Sequence, residues 1–324
     1  MNNLIYSLNA TVPVFAVIVI GYIMRRKDFI NEEFIKVANR LNFRITLPLL
    51  LIQDLMAMDF KSNFKVNYVA YCAIVTTICF ITIWIGAKIF IKDKTVISEF
   101  VQGSFRGSAA VLGTAFVLNI YGDTGMVPMM IIGAVPLYNI FSVIVLQMES
   151  PMHKTNSNKE MVRKIRKDNI KMSFKGIATN PIIIGIIIGV MLSLFEVDFQ
   201  VMVDTTIGSL ARITTPLALL AIGGSFEFGK AIEKIGPAFS GAFIKLMGQV
   251  IIFLPFAIML GFRDKELMAI VIMLGSPTTP SCYVMAKGAG CNGILTSSMV
   301  VITTLCSAVT ITSIIFVLRT FGYV

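Results

Sequence analysis

The most chemically loaded stretch of this sequence is Ser276-Pro277-Thr278-Thr279-Pro280-Ser281, hydroxyls and prolines set inside an otherwise apolar run. A proline lacks an N–H and its ring collides with the carbonyl four residues back, so Pro277 and Pro280 together break a helix. The helix that restarts beyond the break has N–H groups without intrahelical acceptors and a partial positive charge, which suits a carboxylate. Gly103, Gly107-Ser108 and Gly113 form a weaker version of the same signal, in which glycine does the loosening. Glycines at this spacing also let two helices pack closely, so a purely structural reading stands beside the functional one.

Charged residues inside apolar runs are the second chemical signal. Arg44 and Arg212 each lie four residues before a proline, Pro48 and Pro216, whose missing N–H leaves the arginine's own carbonyl without its helical partner. Such an arginine suits a carboxylate as a two-pronged donor, or it reaches for the interface as a structural residue. Asp54 follows Pro48 by six residues, about 9 Å along a helix, and is the expected membrane-embedded acid, in ion coupling or at the outer interface. Asn139 is expected to support a cavity or bond a neighbouring helix. Arg106 and Lys245 are expected near helix ends, in interfacial roles.

The elements that carry these residues follow from composition. The chain has 324 residues, of which 56% are hydrophobic and 14% charged. Its mean hydropathy is +0.82, a balance that belongs in a bilayer. Ten apolar stretches of a length that spans the hydrocarbon layer run at about 4–24, 34–58, 66–91, 101–121, 126–148, 176–195, 203–226, 235–260, 266–286 and 293–317. The net charge of +10 reflects topology rather than nucleic acid, because Lys and Arg concentrate in the loops after the odd-numbered spans. Cationic loops stay in the cytoplasm, which puts both termini outside in a multi-pass protein of the cytoplasmic membrane. The basic segment 149–175, with Lys154, Lys159, Arg163, Lys164, Arg166, Lys167, Lys171 and Lys175, reads as a cytoplasmic linker between halves 1–148 and 176–324.

Those halves repeat one another at an offset of 168. ATVPVFAVIVIG at 10–21 lies over ATNPIIIGIIIG at 178–189, and RITLPLL at 44–50 lies over RITTPLA at 212–218. The same register superposes Gly107-Ser108 on Gly275-Ser276, Gly122 on Gly290 and Gly125 on Gly293. Five spans per repeat is an odd number, so the second copy starts from the opposite membrane face. The expected fold is all-α and integral to the membrane: ten transmembrane helices as two inverted five-helix repeats, with broken helices 4 and 9 crossing near the midplane. Inverted repeats around discontinuous helices are a design of secondary transporters.

Other classes fit less well. The single histidine, His153, lies in the linker, and neither HExxH nor GxSxG occurs, so no enzyme, cofactor or metal site is expected. The five cysteines form no CxxC pair and read as packing residues. A channel leaves the repeated breaks unexplained, and a membrane sensor without transport has no added signalling domain here.

At this point the sequence resembles the auxin efflux carrier and malate permease family, over nearly the whole chain. The resemblance rests on Pro48-Leu49-Leu50, Leu112-Gly113 with Tyr121-Gly122, Pro216-Leu217-Ala218-Leu219 with Ile222-Gly223, and Pro277 with Ala286-Lys287, in that order. It implies a scaffold of helices 1, 2, 6 and 7 and a mobile unit of helices 3–5 and 8–10. It also implies elevator-like transport of small organic acid anions such as malate, with substrate at the crossing of helices 4 and 9, and a homodimer as a further expectation. Gly107-Ser108 stands where the family usually carries Pro-Asn or Ser-Asn. The fold is similar to that of bile-acid sodium symporters, which keeps sodium-coupled uptake of organic anions as an alternative. The substrate-binding set expected on these grounds is Gly107, Ser108, Gly113, Ser276, Pro277, Thr278, Thr279, Pro280, Ser281 and Arg212, supported by Asp54, Asn139 and Arg44.

Overall fold

The computed structural model describes residues 13, 16–56, 65–109, 117, 121, 125–149, 181–195, 197, 199, 201–225 and 234–324, with backbone alone at 54 and 55. Among these residues the regular structure is entirely helical. In chain order the helices are α1 (16–26), α2 (Glu32–Leu41), α3 (Leu47–Met56), α4 (Val66–Phe90), α5 (Ile97–Phe105), α6 (Val127–Glu149), α7 (Pro181–Leu194), α8 (Val201–Ser225), α9 (Ile235–Phe243), α10 (Gln249–Met259), α11 (Asp264–Gly275), α12 (Ser281–Gly288) and α13 (Ile294–Thr320). Wider π-turns join α2 to α3 at Asn42–Thr46 and α9 to α10 at Ile244–Gly248. Among the described residues, five helical runs are long and apolar enough to cross a membrane: α4, α6, α8, the combined run Ile235–Met259, and α13.

Local chemistry explains the ends. Asn31 caps α2 by accepting the Phe34 N–H at 2.8 Å, and Glu32 and Glu33 follow in the first turn, where the helix dipole favours acids. Helix α13 starts after Gly293, whose φ of 74° is strained for a residue with a Cβ. Outward faces carry large apolar side chains, among them Ile74, Ile78 and Ile85 on α4, Phe239 and Phe243 on α9, and Val309 and Phe316 on α13. An apolar exterior of this extent is the surface a bilayer solvates.

Packing divides the helices into two sets. Helix α3 lies against α7 and α8, and α2 and the first π-turn also pack on α8. Helices α4, α5, α6, α9, α10, α11 and α13 share the largest apolar core, which includes Tyr68, Phe80, Phe105, Met130, Ile270 and Met299. Smaller clusters hold the sets together, one around Leu47, Ile182 and Met285, the other around Ile18, Ile222 and Tyr283. Close backbone approach fixes α1 on α8: a Cβ on Gly21 would meet the Leu220 carbonyl, and one on Gly223 the Ile18 carbonyl. The cysteines are free, with Cys72, Cys79, Cys282 and Cys291 buried as expected and Cys306 exposed on α13.

Candidate functional site

The two sequence-predicted breaks meet. Helix α5 ends at Phe105, and Arg106 turns extended at φ −94° and ψ 126°. Helix α11 ends at Gly275, and Ser276 turns extended at φ −68° and ψ 150°, the conformation that a following proline imposes. The two extended segments run antiparallel, pairing Gly107 with Thr278, and the Ser108 N–H donates to the Pro277 carbonyl at 2.8 Å. Gly107 is required by proximity: a Cβ there would overlap Ser276 Oγ and lie 2.8 Å from Lys245 Cε. Helix α12 restarts after Pro280, with Cys282 N–H donating to Thr279 O and Tyr283 N–H to Pro280 O.

Several donors expected to face a ligand are instead used internally. The Thr278 N–H donates to Thr303 Oγ1 at 3.0 Å and its hydroxyl to the Gly103 carbonyl at 2.8 Å. Ser276, Pro277 and Thr278 are buried, whereas Ser108, Thr279, Pro280 and Ser281 are half-buried. The reachable part of the crossing is therefore the Ser108 and Thr279–Ser281 side, where the Thr279 and Ser281 hydroxyls lie 3.0 Å apart.

Two cations that the sequence reading assigned to interfaces are buried here, and this is the main correction. Arg106 is 5% exposed; one guanidinium nitrogen donates to Ser281 Oγ at 3.0 Å and the other faces the Met285 thioether. Lys245 is fully buried in the second π-turn, donating to the Leu274 carbonyl at 2.7 Å, the Met273 carbonyl at 3.1 Å and Gln249 Oε1 at 3.4 Å. Those carbonyls belong to the last turn of α11, which the break leaves without helical donors. Tyr138 OH also donates to Met273 O, and Gln249 Nε2 donates to Ser104 O at 2.7 Å, tying the end of α5 to the same cluster. Among the described residues the partners of Arg106 and Lys245 are neutral. A signal for Lys245 was present in its place: it sits mid-run in Ile235–Met259, more than two helical turns from either end, too far for easy snorkelling.

An acid was also missed. Glu99, 1% exposed, accepts from the Gly293 N–H at 3.2 Å, the Thr296 N–H at 3.0 Å and the Thr296 hydroxyl at 2.8 Å. It thereby caps the N-terminus of α13, accepting from N–H groups that have no intrahelical acceptor.

The remaining expected residues lie apart from the crossing or outside the description. Gly113 and the side chain of Asp54 are outside the described residues. Asn139 is buried in α6 and donates to Val135 O at 2.9 Å within its own helix. Arg212 is exposed on α8. Arg44 lines a cavity of about 1100 Å³ together with Arg25, Arg26, Lys36, Arg40 and Lys287; Asp28 and Glu32 are the acids on the same wall. Asn39 and Ser225 also line it, and both bond Tyr283 OH, at 3.5 and 2.6 Å. This hydroxyl joins α12 to α2 and α8.

Long apolar helices around a pair of facing helix breaks define an integral membrane transporter. Residues 6–315 match the profile of the membrane transport protein family, that of the auxin efflux carriers, and the chain belongs to it. It is similar to the Uncharacterized transporter YfdV of Escherichia coli (strain K12), with 23% identity over 71% of this chain and 73% of that protein. It is also similar to the Putative malonate transporter of Rhizobium meliloti (strain 1021), with 21% identity over 95% of this chain and 94% of that protein. Both names describe transport.

Proposed function

We propose that the chain is a secondary carrier of small organic acid anions, short carboxylates of the malate or malonate kind, bound at the crossing. The observation that carries the reading is Arg106: a guanidinium 5% exposed, with neutral partners among the described residues, beside the half-buried Ser108, Thr279 and Ser281. A buried cation without a counter-charge is costly, and a bound carboxylate supplies that charge in bidentate geometry. The relative named for malonate supports the substrate class. Arg106 takes the clamp role that the sequence reading gave to Arg212, which lies exposed on α8.

The architecture proposed with it is ten transmembrane helices in two inverted five-helix repeats, both termini outside. In support, helix bounds recur at 168: 66–90 shifted becomes 234–258 against Ile235–Met259, and 127–149 becomes 295–317 against Ile294–Thr320. The packing of α2, α3 and α8 apart from the large core supports a scaffold and a moving unit, and alternating access by rigid-body displacement.

The test is uptake of labelled malonate and malate into proteoliposomes. Saturable uptake with counterflow, and at least tenfold weaker apparent affinity in Arg106→Gln at unchanged folding, is expected. Absence of saturable exchange for every short carboxylate tried would remove the reading.

A further inference from the structure

Lys245 is unusual in what surrounds it. Its ammonium is fully buried and meets three uncharged oxygens, the Leu274 and Met273 carbonyls and Gln249 Oε1, at 2.7, 3.1 and 3.4 Å. Gln249 in turn holds Ser104 O, and Gly107 would place a Cβ 3.0 Å from the Lys245 nitrogen. The ammonium therefore sits between the end of α11, the π-turn of its own run and the strand that leaves α5. Paired carbonyls at a broken helix end plus an amide oxygen are the donor set that hard monovalent cations take. Here the chain fills that set with its own positive charge, and Ser276 Oγ, buried and without a hydrogen-bond partner, lies on the same side of Gly107 as the ammonium.

We propose that Lys245 is a resident cation at the helix break, standing where a carrier driven by sodium would hold an exchangeable ion, and that organic anion binding is consequently independent of sodium. The inference rests on the carrier reading above. The ammonium fixes the crossing and contributes an uncompensated positive field to it. The protein then needs no free alkali ion to assemble the anion site. Removing the amine while keeping the oxygens leaves a vacant cation site that a small free cation can fill.

The experiment measures malonate binding by calorimetry on the purified full chain in sodium and in choline media, with thermal melting alongside. For the native protein the two affinities should agree within twofold; a sodium requirement would overturn the proposal. Lys245→Ala should bind malonate at least tenfold more weakly in choline and recover to within about threefold when methylammonium, sodium or lithium is added. A folded Lys245→Ala that binds as the native protein does without any small cation, or that none of the three restores, overturns it. If the variant folds only when one of these cations is present, that rescue supports the site; failure to fold with all three overturns it. Native protein that binds no carboxylate in either medium removes the carrier reading alone. Methylammonium raising the melting temperature of Lys245→Ala without malonate still reports the cation site.

Discussion

Gly107→Ala is the sharpest probe of the crossing. The added methyl would overlap Ser276 Oγ and approach Lys245 Cε at 2.8 Å and Nζ at 3.0 Å. The lysine is held by carbonyls at 2.7 and 3.1 Å and cannot swing aside without surrendering them. The strand must shift instead, which stretches the bond from Ser108 N–H to Pro277 O. Overpacking of this kind costs about 1–3 kcal/mol, and a weakened buried hydrogen bond adds about 1 kcal/mol. At about 2 °C per kcal/mol for a chain of this size, the melting temperature should fall by roughly 4–8 °C. Ser276→Ala removes the nearest obstructing atom. Because Ser276 Oγ is buried without a partner, that change alone should be close to neutral. The double variant should recover at least about 1 kcal/mol, a coupling that a double-mutant cycle on melting curves reads directly. Malonate affinity should follow the same order, worst in Gly107→Ala and partly restored in the pair. A Gly107→Ala protein that melts and binds as the native one does, or two substitutions that simply add, would refute the close apposition of these strands.

Other outcomes follow from single contacts. Tyr283→Phe removes the hydroxyl that joins α12 to Asn39 and Ser225; a change of about 1 kcal/mol should move malonate counterflow by two- to fivefold, and unchanged flux would separate this bond from the transport cycle. Glu99→Gln puts an amide donor where the carboxyl accepts and gives up at least one of the three bonds at the start of α13, which should cost about 1 kcal/mol or more, read as a melting temperature lowered by roughly 2 °C. In the loop after α4, the Lys234 ammonium and then Thr95 hold the Asp93 carboxyl down to about 2. A carboxyl lowered by folding contributes stability above its unfolded pKa of about 4 and loses it as pH falls toward 2. The pair is solvent-exposed enough to keep this under about 1 kcal/mol, so Lys234→Gln should lower the melting temperature slightly at pH 7, with the difference from the native protein shrinking as pH falls from about 4 toward 2.

Much of the fold was legible because a bilayer enforces length and polarity on each helix. The apolar runs at 66–91, 126–148, 203–226, 235–260 and 293–317 fall within about two or three residues of α4, α6, α8, Ile235–Met259 and α13. The breaks were legible too, since Pro277 and Gly107 act on the backbone locally. Which face of a helix turns inward was not, because hydropathy is summed over all faces. Lys245 therefore read as a side chain reaching for the interface, while its two carbonyl acceptors lie 28 and 29 residues away in sequence on another helix. Arg106 was hidden for the same reason, its partners Ser281 and Met285 belonging to the opposite half of the chain. Thr278 was misjudged in the other direction: its hydroxyl looked available, and only the fold reveals Gly103 as its acceptor.

The cavity at the ends of α1, α2 and α12 sets six cationic side chains against two acids within about 1100 Å³. Those four net charges amount to a fixed-charge density on the order of 6 M, comparable to an ion-exchange resin and far above the salt of any ordinary medium. Such a compartment partitions small anions by Donnan equilibrium, whatever their chemical identity. Anions compete there according to their valence, a dianion such as malonate or hydrogen phosphate being enriched more steeply than chloride, so apparent transport constants measured from this side should depend on the anion of the buffer. Choosing gluconate or chloride as background anion then becomes part of defining the affinity itself.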